Sequence, residues 1–403
     1  MSDPCSKKFP QIRHVEPVPV EIEGQQMFYV RDPLEIASSP LGLSAAHLYL
    51  LQHFDGRHSV EDIEERFEEA AGGPPPPGLV NELIDLLEER YYLEGPRFRA
   101  HFEKLQKEFA ESGVRKAWHA GGSYPEDADA LREQLDCFYE EAAPETSDLP
   151  GDVTAILAPH IDLRVGGACY THAFDHLKDH DADVFVILGV DHYGEGIPLN
   201  ACAMDYETPL GRTETDRELL NAWQAKTSED LTRHQWSHRT EHSIEFPLIF
   251  LQHALNRPFK MLPILCGPIE PHLETGVQPG RELLEGLQES LAELGKKAVY
   301  ILSVDLAHMG PKFGHSFEID SQILEDIEQA DRAMLDCVAD WNAPGFFESL
   351  EADRNHRNVD APMAVLSWMA LDEARGGRLL DYGQDFQSET KSMVSYASMV
   401  FWK

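Results

Sequence analysis

The chain has 403 residues, of which 42% are hydrophobic and 26% charged, a composition typical of a folded protein long enough for two domains. Its 71 acidic and 34 basic residues give a formal net charge of -37, which repels phosphate backbones and argues against nucleic acid as a partner. Neither a signal-peptide core nor a membrane-spanning apolar stretch is present, and the six cysteines are scattered, so we expect a cytoplasmic protein without membrane contact.

The predicted elements begin with a small helical module between residues 43 and 93. The stretch LSAAHLYLLQHF has apolar residues at helical spacing, and Ser59 and Asp62 form a capping-box pattern at the start of SVEDIEERF. The run GGPPPP separates that helix from GLVNELIDLLEERYYLEG, an amphipathic helix followed by a turn. Three short helices and a turn predict a small N-terminal winged-helix domain.

The charge of this module argues against DNA binding. Between Asp55 and Arg90 there are eleven acidic and three basic residues. The order of LSAAHLYLLQHFDGRHSVEDI and a helix ending in LLEERYYL resembles the PqqD-like peptide-recognition modules. The resemblance implies that residues 1–110 bind a peptide substrate or a radical S-adenosylmethionine (SAM) protein, and the alternative is a purely structural helical domain.

Residues 111–403 have a different pattern, in which strands alternate with helices from about residue 114. The predicted strands are TAILAPH, VFVILGVDH, KMLPILCG and AVYILSVDLAH, and the helices between them include DRELLNAWQ, RELLEGLQESLAEL and QILEDIEQADRAMLDCVADW. Continuous apolar strands between helices are typical of an α/β domain with a buried sheet.

Histidine and aspartate recur where three of these strands end. The pairs are His160 with Asp162, Asp191 with His192, and Asp305 with His308. Because ligands bind beyond the carboxyl ends of the strands in open α/β sheets, we expect these side chains to converge. Imidazole and carboxylate donors suit Fe, Mn, Zn or Cu. The pattern therefore predicts a transition-metal site, with isolated turn histidines as the alternative.

A fourth segment, HRTEHSIEFPLIFLQ, places Glu241, His242 and Ser243 at the start of an apolar helix. It adds acid/base candidates to the predicted site. A hydrolase with Ser243 or Ser303 as nucleophile is a further hypothesis, but no G-x-S-x-G turn accompanies either serine.

Seven sequence blocks resemble the Memo family, whose bacterial members are called AmmeMemoRadiSam system protein B. In order, the blocks are RKAWHAGGSYPEDADALREQL, APHIDLRVGG, LGVDHYG, YETPLGRTETDRELL, TEHSIEFPLIFLQ, SVDLAHMGPKFG and SMVSYASMVF. The resemblance covers about residues 114–403. It implies a three-layer α/β core similar to class III extradiol dioxygenases of the LigB type, with a pocket that holds iron or copper.

The resemblance also implies roles for single residues. His160 and His192 match family metal ligands, and the remaining pocket positions are matched by Asp305, His308, Glu241 and His242. Two departures stand out. Asp162 and Arg164 add charge where many members carry aromatic residues, and the cysteine that some members have before the final strand is absent from DYGQDFQSETKSMVSYA. The third ligand is therefore left open between His242, His308 and a carboxylate.

Together with these residues, the resemblance implies redox or dioxygenase-like chemistry linked to a radical SAM system. His160 and His192 would hold a divalent transition metal, iron first, with copper, manganese or zinc as alternatives. His308 or His242 would transfer protons, and Asp305 would orient a histidine. We expect Cys169 and Cys202 to be inert buried thiols. The alternative function is a non-catalytic protein that binds peptides or proteins with the same pocket.

Overall fold

The computed structural model describes residues 7–22, 24–37, 39–144, 148–194, 196–273, 280–372, 374 and 376–403. The chain divides into two compact units, residues 1–112 and 113–403. In the part of the chain that is described, no helix is both long and apolar enough to cross a membrane.

The first unit opens with a small antiparallel sheet that the sequence did not lead us to expect. Its strands are β1 (Glu16–Ile22), β2 (Gln25–Arg31) and β3 (Leu41–Ser44), in the order β1-β2-β3. Val30, Leu41 and Leu43 face the core of the unit. β1 carries Pro17 and Pro19 and, among the described residues, pairs only with β2, as expected for proline, which is confined to sheet edges.

Four helices follow the sheet: α1 (Ala45–Leu51), α2 (Val60–Ala71), α3 (Leu79–Glu89) and α4 (Pro96–Ser112). The predicted capping box of α2 is confirmed, because the Asp62 N–H donates to Ser59 Oγ at 3.2 Å and the Ser59 N–H donates to Asp62 Oδ2 at 2.8 Å. Gly72, with φ of 75°, ends α2 where the GGPPPP run begins. The winged-helix assignment itself stays a prediction.

The second unit is built on one eleven-stranded mixed sheet, counted over the described residues. Its strands are β4 (Val114–Arg115), β5 (Val153–Ala158), β6 (Val184–Val190), β7 (Leu199–Ala201), β8 (Asp205–Thr208), β9 (Gly211–Thr215), β10 (Lys260–Cys266), β11 (Ala298–Ser303), β12 (Asp305–Met309), β13 (Gly376–Gln387) and β14 (Ser392–Trp402). The main path runs β12-β14-β5-β11-β6-β10-β9-β8-β4, with β13 beside β14 and β7 beside β10. The four strands predicted from apolar runs form the parallel centre, β5-β11-β6-β10, so the expected α/β class is confirmed.

Helices cover both faces of this sheet. They are α5 (Ala128–Ala142), α6 (Leu163–Phe174), α7 (Arg217–Gln224), α8 (His242–Leu255), α9 (Glu270–Leu273), α10 (Arg281–Leu294), α11 (Ser321–Ala339), α12 (Ala343–Asp353) and α13 (Pro362–Leu371). Trp223 of α7 and Trp368 of α13 are buried against one face, while Phe174 of α6 and Phe250 of α8 stack on each other in the opposite layer. The sheet is therefore the middle of three layers.

The order of the central strands positions the site. β5 and β6 both run parallel to β11 and lie on either side of it. The three chains leave the sheet at the same edge, where His160, His192 and Asp305 each follow the last residue of their strand by two positions.

Candidate metal centre

Three histidines meet at the carboxyl edge of the sheet. In the described part of the chain, His160, His192 and His242 form a group whose ligand atoms all lie within 4.8 Å of one another, close enough to hold a metal ion. The ring centroid of His160 lies 5.5 Å from that of His192 and 5.4 Å from that of His242. Sequence reasoning named His242 both as an acid/base candidate and as one of the candidates for the third ligand, and the structure places it beside the other two histidines.

His192 is held by a buried carboxylate. Its Nδ1 lies 2.9 and 3.0 Å from the two oxygens of Glu241, whose side chain is only 2% exposed. Burial alone would raise the pKa of Glu241, but His192 and His242 outweigh burial and hold that pKa well below its usual value. An ionised carboxylate only accepts hydrogen bonds, so Nδ1 carries the proton and Nε2 is the atom left for a metal.

Glu241 also fixes the start of α8. As the N-cap residue it accepts the backbone N–H groups of His242 at 2.8 Å and Ser243 at 2.9 Å. One carboxylate thus orients His192 and anchors the helix on which His242 is the first residue.

Asp360 is the site residue that sequence reasoning missed. Its Oδ2 lies 3.0 Å from Nε2 of His160 and 2.9 Å from Nε2 of His192. Burial would raise the pKa of Asp360, but the two histidines hold it well below its usual value. The carboxylate therefore faces both imidazoles as an anion.

His160 is fixed on its other side by residues at the end of β11. Its backbone N–H donates to Oδ1 of Asp305 at 2.9 Å, and its Nδ1 lies 3.1 Å from the hydroxyl of Ser303. Burial tends to lower the pKa of His160, but Asp305 and Asp360 outweigh it and raise the pKa above its ordinary value. Asp305 thus lies in the site, where it supports the backbone that carries His160.

The pKa of His242 is shifted in the opposite direction from those of His160 and His192. Burial, together with the neighbouring His192 and His160, outweighs the pull of Glu241 and lowers the pKa of His242. Its ring stacks on that of His192 at 4.9 Å with an angle of 14° between the planes. The site therefore holds a neutral imidazole beside two that carry protons for Asp360.

Three other predicted residues lie outside the histidine group. His308 packs edge-on against Phe313, and its Nδ1 lies 3.1 Å from the carbonyl oxygen of Leu306. Asp162 caps α6 by accepting the backbone N–H of Arg164. Asp191 is buried and accepts a hydrogen bond from Asn200 at 3.3 Å, and burial raises its pKa to about 6.

The two serines of the hydrolase hypothesis are engaged in the structure. Ser243 is fully buried, and its Oγ accepts from the Val190 N–H at 3.0 Å and donates to the Val190 carbonyl at 3.1 Å. A side chain at Gly189 would place Cβ 2.6 Å from that Oγ, so the close contact of α8 with β6 requires glycine. Ser303 is also buried and contacts Nδ1 of His160. Ser243 therefore joins α8 to β6 and is not accessible as a nucleophile.

Comparison with known proteins assigns the second unit. Residues 115–400 match the model of a family described as Memo-like protein. The chain belongs to the Memo family. A MEMO1 family protein of Aquifex aeolicus is 30% identical over 380 residues, 93% of this chain and 96% of that protein. MEMO1 family proteins of Methanococcoides burtonii and Pyrococcus furiosus are 31% and 30% identical over 290 and 302 residues, 71% and 72% of this chain and 99% of each of those proteins.

These coverages bear on the first unit. The matches to the Methanococcoides and Pyrococcus proteins include 99% of each protein, and they are about as long as the second unit. We call this unit, residues 113–403, the Memo domain. The Aquifex protein is matched over so much of this chain that the similarity extends into residues 1–112.

The first block of the Memo domain, RKAWHAGGSY, contacts the N-terminal end of α8. The buried guanidinium of Arg115 pairs with Glu245 and donates to the backbone carbonyls of Glu241 at 2.7 Å and His238 at 2.9 Å. Glu245 also accepts the N–H groups of Trp118 and His119, each at 3.0 Å. This ion pair thus fixes the backbone that carries Glu241, a role that sequence reasoning did not predict.

Proposed function

We propose that this Memo protein binds one divalent transition metal, iron first, through His160 and His192 and uses it for redox or dioxygenase-like chemistry on a small or peptidic substrate. One observation carries the proposal: the Nε2 atoms of both histidines approach the same carboxylate oxygen, while their Nδ1 atoms contact Glu241 and Ser303. Metal-binding imidazoles typically donate their second N–H in this way. A donor set of imidazole and carboxylate also fits Fe(II), Mn(II) or Zn(II).

The residues of the site have separable tasks in this proposal. A bound ion would supply Lewis-acid and redox chemistry to a substrate at its open positions. Glu241 keeps His192 in the tautomer that presents Nε2, and Asp305 holds the backbone of His160. His242 is neutral and adjacent, so it is the residue we propose to accept and return a proton.

The proposed reaction class draws on the family resemblance to class III extradiol dioxygenases of the LigB type. Two features of the site support it. The site is built from nitrogen and oxygen donors, and the side chain of His192 is 26% exposed while that of His160 is 1% exposed, so the site is open to solvent on the side of His192. His308 lies outside the histidine group, so we assign the proton transfer to His242 in preference to His308.

Metal analysis of the full-length chain tests this proposal. Protein purified without oxygen should contain or take up a single ion per chain, and His160→Ala and His192→Ala should abolish uptake. His253→Gln is a matched control, because His253 lies in α8 far along the helix from His242 and pairs with Asp136. A folded wild-type chain that takes up no iron, manganese or zinc would contradict the proposal.

We further propose that the first unit binds a peptide or a radical SAM protein. We also propose a cytoplasmic location, because the chain has free cysteines such as Cys137 and Cys337, which stay reduced there. The exposed acidic residues of α2, including Glu65 and Glu69, favour a partner with complementary positive charge. Co-elution of the full chain with a radical SAM protein of the same organism should be lost in the Glu65→Lys/Glu69→Lys double variant. Co-elution that this variant retains would contradict the role of α2.

A further inference from the structure

We infer that Asp360, and not His242, is the third protein ligand of the ion; this inference rests on the metal binding proposed above. Oδ2 of Asp360 lies 3.0 Å from Nε2 of His160 and 2.9 Å from Nε2 of His192. These are the same two nitrogens that the contacts with Ser303 and Glu241 leave for a metal. Two imidazole nitrogens therefore lie within hydrogen-bonding distance of one carboxylate oxygen.

The two oxygens of Asp360 have different partners. Oδ1 accepts the backbone N–H of Ala361 at 2.9 Å, whereas Oδ2 contacts only the two imidazoles among its described hydrogen bonds. Protons on the two Nε2 atoms would satisfy Oδ2 in hydrogen bonds of 3.0 and 2.9 Å. A divalent cation held by His160, His192 and Asp360 would take the place of those protons.

The orientation of His242 makes it a poorer ligand, although its ligand atom is close enough. An imidazole binds a metal along a lone pair in the plane of its ring. The rings of His192 and His242 are stacked and inclined by only 14°, so their lone pairs lie in nearly parallel planes, which is unfavourable for sharing one ion. The ring of His160, in contrast, is inclined by 87° to that of His192. Nδ1 of His242 lies 3.2 Å from Oε1 of Glu241, and Nδ1 of His192 lies 3.0 Å from the same oxygen.

The backbone around Asp360 holds its carboxylate in place. The Asp360 N–H is shared between the carbonyl oxygens of Asp305 and Leu306, both at 3.2 Å, so this residue is tied directly to the chain that leaves β11. On the other side of Asp360, Ala361 has φ of 57° and caps α13. A left-handed conformation is unfavourable for alanine and persists only where its surroundings impose it.

An oxygen ligand from Asp360 changes the character expected of the ion. Two imidazoles with one carboxylate form the donor set typical of non-haem Fe(II) oxygenases, which leaves open positions for substrate. A thiolate would instead favour softer ions such as Cu(I). In this arrangement His242 keeps its lone pair for proton transfer.

The test is a titration of the metal-free, full-length chain with Fe(II) and Co(II) under anaerobic conditions. Asp360→Asn, which keeps the shape and removes the charge, should weaken binding by at least about 10- to 100-fold. Asp360→Cys should restore binding through a thiolate. His242→Gln should leave the affinity unchanged, and so should the matched control Asp162→Asn, which removes a nearby carboxylate but retains a good helix cap.

The outcomes separate the two proposals. Failure of the wild-type chain to bind metal would contradict the proposed function itself. Unchanged affinity in Asp360→Asn, or an equally large loss in His242→Gln, would overturn only the assignment of Asp360. If circular dichroism shows that Asp360→Asn does not fold, a folded Asp360→Cys chain that binds no metal would also overturn it. X-ray absorption should detect two imidazoles on the bound ion of the wild type, and three would count against Asp360.

Discussion

Glu241 contacts Nδ1 of His192 through both of its carboxylate oxygens, at 2.9 and 3.0 Å, across 49 positions of sequence. The same carboxylate caps α8. The orientation of a proposed ligand and the start of the helix that carries His242 therefore depend on one buried anion.

Glu241→Gln tests this dependence. Glutamine can still cap α8 through its amide oxygen, but it no longer supplies the negative charge beside His192. We expect metal affinity to fall by about 10- to 100-fold, as is typical when a carboxylate partner of a metal-binding histidine is removed. A Co(II) titration of the full chain measures this, and an affinity equal to that of the wild type would show that Glu241 serves only as a helix cap.

The Arg115–Glu245 pair should be a main determinant of the stability of the Memo domain. Arg115→Ala leaves the fully buried Glu245 without its cation, so we expect a loss of about 3–5 kcal/mol in the free energy of unfolding. The control Lys116→Ala breaks the exposed pair with Glu207 and should cost at most about 1 kcal/mol.

Denaturant unfolding followed by tryptophan fluorescence measures both variants. All six tryptophans lie within residues 113–403, so the signal reports on the Memo domain. Equal losses in Arg115→Ala and Lys116→Ala would contradict the importance of the buried pair.

Acid should destabilise the Memo domain through His238. Burial lowers the pKa of this histidine to about 4, and its ring is bonded to Tyr206 and to the carbonyl of Asn200. The unfolded chain takes up the proton near pH 6.5 and the folded chain only near pH 4. Above pH 6.5 His238 is neutral in both states and does not lower the free energy of unfolding. As the pH falls from 6.5 towards 4, the unfolded chain is protonated first, so the free energy of unfolding falls by on the order of 3 kcal/mol.

Nuclear magnetic resonance of histidine-labelled protein measures this directly. The ring resonances of His238 should not shift between pH 8 and about pH 5. In His238→Gln, the unfolding free energy should fall less steeply between pH 6.5 and 4 than in the wild type. A ring that titrates near its ordinary pKa would refute the prediction.

Cysteine chemistry should play no part in metal binding. Cys169 and Cys202 are both buried, and burial raises the pKa of the Cys202 thiol to about 12 and that of Cys169 well above its ordinary value. Cys169→Ser and Cys202→Ser should therefore leave metal content unchanged, whereas His192→Ala abolishes it. Metal loss from a folded serine variant would show that a thiolate belongs to the ligand set.

Local sequence patterns predicted the centre of the Memo domain well. The apolar runs that end before His160, His192 and Asp305 are buried parallel strands, and residues that follow such strands must emerge at one edge of the sheet. Ser59 and Asp62 likewise cap α2, because a capping box is encoded within four consecutive residues.

The missed features depend on contacts that are distant in sequence. Asp360 follows no apolar strand and contacts His160 across 200 positions of sequence. The next residue, Ala361, is left-handed, but alanine gives no sequence signal for that conformation, as glycine or asparagine would. The N-terminal sheet was missed because β1, with the sequence EPVPVEI, contains two prolines, which normally argue against a strand.

Those two prolines also limit how the first unit can meet other chains. Alternate residues of a strand direct their backbone groups to the same side, so Pro17 and Pro19 remove two consecutive N–H donors from one side of β1. Since the partner side is occupied by β2, the outer edge offers carbonyls without donors over this stretch. The missing donors therefore disfavour the addition of a strand from a second copy of the chain along β1, and among the described strands Leu41–Ser44 forms the opposite edge of this sheet.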